Sequence, residues 1–164
     1  MLLVCAAIGV ATGIVGGIAG VITPLVLASP LVIAYGFVLG AHVLPGIVAQ
    51  EVLRMPLVAT AFNPAWAGRF IGTALLFGAI QEGVAALTRY RAWGAWRFFI
   101  SAVIIGLIVA VAVFFAAHLS AFAPWAQIAY LALSVLGPVA WTALGLGVGA
   151  SLRRAGVARQ TAGR

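Results

Sequence analysis

Long stretches of this chain carry no charge at all, and that restricts what it can fold into more than any motif does. The run over 2–28 has no ionisable acid or base, and the mostly apolar run over 70–87 is broken by a single carboxylate, Glu82. With 65% hydrophobic residues, 7% charged residues and a mean hydropathy of +1.24, the 164-residue chain falls far outside the composition of soluble globular domains. It reads as an all-α integral membrane protein of the cell membrane. A span needs roughly 20 apolar residues, so the length accommodates about six spans with short connections and leaves no room for a soluble domain beside them.

Breaks at Pro, Gly and Arg clusters place spans at 2–24, 30–52, 56–68, 70–88, 98–117 and 125–150. The third is short or broken, with Asn63-Pro64 as a turn signal after it began. Between Arg54 and Arg89 lie 34 residues, about 51 Å as helix at the usual rise, enough for two short crossings or one crossing with a re-entrant piece. Charge settles the count, because arginine and lysine accumulate in short cytoplasmic loops. Arg54 follows span two, Arg89, Arg91 and Arg97 follow span four, and Arg153, Arg154, Arg159 and Arg164 follow span six, so eight of the nine basic residues share one side and only Arg69 faces the other. Deleting span three would put Arg54 opposite the Arg89 group. The expected arrangement is therefore six transmembrane helices with both termini cytoplasmic. One membrane-embedded domain covers 1–152, and a basic tail over 153–164 is expected to be disordered. The first run lacks a basic n-region and is too long for a signal-peptide core, so it is expected to be a retained span; its abrupt start fits a chain with a few further residues upstream.

The net charge of +7 does not point to nucleic acid, because the arginines cluster at the ends of apolar segments rather than along a solvated polar face. One cysteine, Cys5, excludes an intrachain disulfide. Two histidines and two glutamates lie on three different spans without paired spacing, so no metal site is expected, and no cofactor. Neither GxSxG, HExxH nor a phosphate-cradling loop is present, and the chain does not read as an enzyme.

The few polar residues can be taken face by face. Glu82 heads the candidates, since an ionisable group at membrane depth costs several kcal/mol by roughly the insertion scales and usually marks a ligand, ion or proton site. It could equally hold a neighbouring helix by a structural hydrogen bond. Gln127, Tyr130 and Ser134 follow i, i+3, i+7 spacing on span six and share a helix face, with Trp125 at its outer end and Trp141 two turns beyond. They line a pocket open to the outside, or Trp125 and Tyr130 belong to an interfacial aromatic belt. Thr60, Asn63 and Trp66 recur at three-residue intervals, and an amide beside an indole suits an aromatic heterocycle by hydrogen bonding and stacking; a turn and an interface anchor explain them as well. His42 is either a core histidine or a pocket donor. Glu51 is expected to pair with Arg54 three residues on. Ala7, Ala11, Gly9 and Gly13 put small residues at helical spacing on span one, a surface for close helix packing within the chain or against a partner.

The stretch Gly78-Ala-Ile-Gln-Glu82-Gly-Val-Ala-Ala-Leu-Thr88-Arg89-Tyr90-Arg91-Ala-Trp93 resembles the glycine-rich, glutamate-containing helix and Thr-Arg-aromatic-basic turn of YkoE-like S components, the substrate-binding subunits of energy-coupling factor (ECF) transporters. Ser29-Pro30 before span two and Arg54-Met55-Pro56 before span three resemble the same family, while a glutamate expected soon after that proline is replaced by Asn63 near its place. The resemblance implies a vitamin-binding membrane subunit with no ATPase of its own, taking up thiamine or its hydroxymethylpyrimidine precursor. Its partners would be an ECF coupling transmembrane protein and two ATPase subunits. It further implies stacking on Trp66, Trp125 or Tyr130, polar contacts from Asn63, Gln127 and Glu82, and docking of the coupling protein on the Ala7 and Ala11 face. The competing readings are a small membrane packing or assembly protein of a larger complex, and a self-sufficient small transporter.

Overall fold

The computed structural model describes residues 14, 17–53, 71–91 and 94–155, and among these the regular structure is entirely helical. Helix α1 covers Gly17–Leu27. A short 3-10 turn, Pro30–Ala34, leads into α2, Tyr35–Leu53; α3 is Ile71–Leu87, α4 is Trp96–Ala116, and α5 is Pro124–Arg154, preceded by a second 3-10 turn at Leu119–Ala121. Three helical segments, Pro30–Val52, Trp96–Ala116 and Pro124–Arg154, are long and apolar enough to cross a membrane, whereas Gly17–Leu27 and Leu75–Leu87 are shorter apolar helices. The expected third span at 56–68, with Asn63 and Trp66, lies outside the described residues, as do Ala7, Gly9, Ala11 and Gly13.

Local chemistry sets the helix ends. Ser29 caps the first 3-10 turn by accepting from the Leu31 N–H at 3.2 Å, and Pro30 follows where its missing N–H is harmless. Pro124 occupies the same early position in α5, and Arg153 and Arg154 fill that helix's last turn, where cations complement the negative end of the dipole. The helix continues through both arginines, so the basic residues expected to begin a tail are part of the bundle.

Glycines determine how α2 and α5 meet. Helix α2 packs along nearly its whole length on the later two thirds of α5, and the two run parallel: Gly36 faces the Ser134 backbone, Gly40 faces Gly137, Gly145 faces Ile47, and Gly149 faces Glu51. At the Gly36–Gly137 crossing, backbone lies on backbone in both directions, which only residues lacking a Cβ permit. Trp141 fixes the register from the side, its indole N–H donating to the Phe37 carbonyl at 2.9 Å with the two rings 5.6 Å apart. Helix α4 crosses α5 antiparallel, since Gly106 faces Ser134 and Val135 while the Tyr130 hydroxyl donates to the Ala110 carbonyl at 3.0 Å. Pro138, inside α5, has no N–H to give the Ser134 carbonyl four residues earlier, and Gly106 packs over that same carbonyl.

The core follows from the i, i+4 spacing of Leu39, Val43 and Ile47 on α2, which meet Phe77 of α3 and Phe98 and Ile105 of α4. A second cluster of Val32, Ala110, Leu119 and Tyr130 closes the opposite end.

Candidate functional site

Both acidic residues of the chain gather at one end of the bundle, where α2, α3 and α5 terminate and α4 begins. Each is buried, Glu82 at 6% exposure and Glu51 at 7%. Glu82 accepts from the Gln50 side-chain amide at 2.9 Å and from the Tyr90 hydroxyl at 3.2 Å, so one carboxylate ties α2, α3 and the turn after α3 together. Gln81, also buried, donates to the Val43 carbonyl of α2 at 3.3 Å. Glu51 receives Arg153 from the end of α5, and the same guanidinium donates to the Glu51 carbonyl at 2.9 Å. The partner expected from spacing, Arg54, lies outside the described residues; among the described residues the cation on Glu51 comes from 102 positions away.

The turn that carries Tyr90 is unusual. Arg89 N–H bonds back to Ala86 and Tyr90 N–H to Ala85, a Schellman ending, and Arg89 and Tyr90 both adopt left-handed backbone with φ of 49° and 56°. Glycine is the ordinary occupant of the first of these positions, because a Cβ there is strained. The reversal carries Tyr90 back over the end of α3 to reach Glu82. The phenol of Tyr90 is held above its ordinary pKa by desolvation, then by the charge and hydrogen bond of Glu82, with Arg97 acting in the opposite sense. Arg97 itself is 2% exposed at the start of α4, its guanidinium 4.4 Å from the Phe98 ring centre.

The residues expected to line an outward pocket sit at the other end and are occupied in packing. Tyr130 is fully buried and spends its hydroxyl on α4. Gln127 donates to the Phe122 carbonyl at 2.9 Å and the Ser120 carbonyl at 3.3 Å, closing the loop before α5. Trp125 is 69% exposed, as an interfacial aromatic would be. Ser134 is buried one turn below Tyr130 against Gly36 and Gly106. His42 is half-buried in the middle of α2 beside the Val38 and Leu39 backbone of its own helix. From Tyr130 to Arg153 is about 34 Å of helix at the usual rise, so Glu82 and the Gln127–Tyr130–Ser134 face do not form one site.

Between α1, α2 and α5 lies a cavity of about 300 Å³ walled by Phe37 and Trp141 with Ile18, Ile22 and Val38. Its lining is apolar, offering stacking surfaces and dispersion contacts to a ligand of modest size. Among the described residues, no three His, Cys, Asp or Glu side chains come together as a metal site would require.

Sequence reading placed Glu82 first but missed Gln50 and Tyr90 as its donors, and Arg97 as a charge acting on Tyr90. The signal was present as a repeated dipeptide: each of the two acids follows a glutamine, Gln50-Glu51 and Gln81-Glu82. Of the two glutamines, Gln50 gives Glu82 a donor without adding a second charge, while Gln81 donates to the Val43 carbonyl. No family model, curated protein or solved structure matches this chain.

Proposed function

We propose that this chain is a membrane-embedded substrate-binding subunit of the ECF type, capturing a vitamin such as thiamine or its hydroxymethylpyrimidine precursor. On this reading its six spans place both termini in the cytoplasm, and a coupling transmembrane protein with two ATPase subunits drives uptake. The observation that supports it is that the stretch carrying the resemblance acts as one unit: its glutamate, Glu82, and the aromatic of its turn, Tyr90, are hydrogen-bonded to each other. The Phe37–Trp141 cavity adds an aromatic surface on which a heterocycle could stack. Glu82 serves here as the tie at the cytoplasmic end rather than as a contact to an outward-facing ligand.

Isothermal titration of thiamine and of hydroxymethylpyrimidine into the detergent-purified protein tests this reading. Saturable binding, weakened in Trp141→Ala, is the expected result. Absence of heat from both ligands with folded protein refutes the vitamin assignment.

A second reading, a packing or assembly protein of a larger membrane complex, is favoured by one observation. Gln127, Tyr130 and Glu82, three residues suited to bind a ligand, already bond to other parts of the chain. Neighbouring genes for a coupling protein and two ATPases would favour the transporter over it.

A further inference from the structure

We propose that the turn after α3 is a binding site for the headgroup of an anionic glycerophospholipid, held by Arg89 and Arg91. Both arginines are exposed and flank Tyr90, whose hydroxyl is anchored inward on Glu82. Anchoring the middle residue fixes the backbone from which the two cations project. Arg89 also stands where a Schellman ending ordinarily has glycine, at φ 49°. A strained non-glycine residue persists where its side chain is needed, and the need here is for positive charge at the surface.

The surroundings fit a lipid rather than a soluble anion. Leu87, directly before the turn, is 85% exposed and Trp96, the first residue of α4, is 51% exposed. Exposed apolar residues within a few positions of exposed arginines match the boundary between acyl chain and phosphate, where indole rings also settle. Charge is complementary as well. The chain's two carboxylates are buried at this end, so the exposed charges among the described residues there, Arg89, Arg91 and Arg154, are all positive. Guanidinium groups hold phosphate oxygens in paired hydrogen bonds, which a lysine would not reproduce.

The proposal rests on the helices being membrane spans and not on the identity of any vitamin, so it survives or fails separately from the titration above. Its test is native mass spectrometry of the full chain released from detergent containing equal amounts of phosphatidylglycerol and phosphatidylcholine with identical acyl chains. Wild type is expected to retain phosphatidylglycerol preferentially. Each arginine near an anionic headgroup should contribute about fivefold to that preference. Arg89→Gly should lose about that factor while melting at or above the wild-type temperature, because glycine suits the left-handed position better; Arg91→Gln should lose a similar factor. That combination separates a lipid contact from a structural role. Equal retention of the two lipids by wild type, or an unchanged preference in the Arg89→Gly/Arg91→Gln double variant, overturns the proposal and leaves an acidic protein surface as the partner of these arginines. Displacement of phosphatidylglycerol by inorganic phosphate at matched ionic strength overturns it too, in favour of a free-phosphate site.

Discussion

Replacing Gly137 with alanine adds one methyl group at the closest approach of α2 and α5. That methyl would overlap the Gly36 carbonyl and the Phe37 Cα, which are backbone atoms that no rotamer change can move aside. Overpacking a tight contact costs about 1–3 kcal/mol, and backbone on the opposing side puts this position at the upper end, near 3. Alanine returns about 1 kcal/mol of helix propensity, leaving a net loss of about 2 kcal/mol. For a chain of this size that corresponds to a fall of about 6 °C in melting temperature. Gly147, ten residues further along the same helix, is the control, since an added Cβ there meets nothing within 4 Å. Gly147→Ala should gain about 1 kcal/mol, or about 3 °C. Tryptophan-fluorescence melting of the three proteins in one detergent reads the contrast directly. A Gly137→Ala protein that melts at or above wild type would refute the backbone-on-backbone seam.

Glu82→Ala should lower the melting temperature more than Glu82→Gln, because alanine leaves the buried Gln50 amide and the Tyr90 hydroxyl without their acceptor, at about 2 kcal/mol, whereas glutamine keeps one oxygen for them; equal melting of the two variants would show that these bonds contribute nothing. Tyr90 gives a pH dependence. Its folded pKa lies above the ordinary 10.0, so the stabilisation it provides is fully present below pH 10.0 and is lost as the pH climbs through the raised value. The melting-temperature advantage of wild type over Tyr90→Phe should therefore be constant up to about pH 10 and shrink above it. An advantage that grows with alkalinity would contradict the Tyr90–Glu82 bond.

Much of the site was readable because burial of charge in an apolar chain is itself a signal. Glu82 stands out in the uncharged run over 70–87, and the structure buries it among hydrogen-bond donors. What could not be read was the identity of the donors, since Gln50 lies 32 positions away and Tyr90 reaches back only through two consecutive left-handed residues. Spacing on span six put Gln127, Tyr130 and Ser134 on one face, yet a shared face says nothing of what lies opposite; α4 lies there and takes the Tyr130 hydroxyl. Small-residue spacing drew attention to Gly9 and Gly13 on span one, while the close contact the structure describes uses Gly36 and Gly40 against Gly137. Glycine spacing marks where backbones can approach, and only the partner helix decides where they do.

The sequence by itself determined a helical chain with segments apolar enough to cross a membrane, because unbroken apolar length and the absence of charge dictate how backbone polar groups must be satisfied. Tertiary structure alone decided the pairings: α2 parallel to α5, Glu51 with Arg153 from the far end of the chain, and Glu82 at the opposite end from Tyr130. Hydropathy is a property of each segment and is fixed before folding. Which segments touch depends on the shapes of both partners, and those exist only once the helices are assembled.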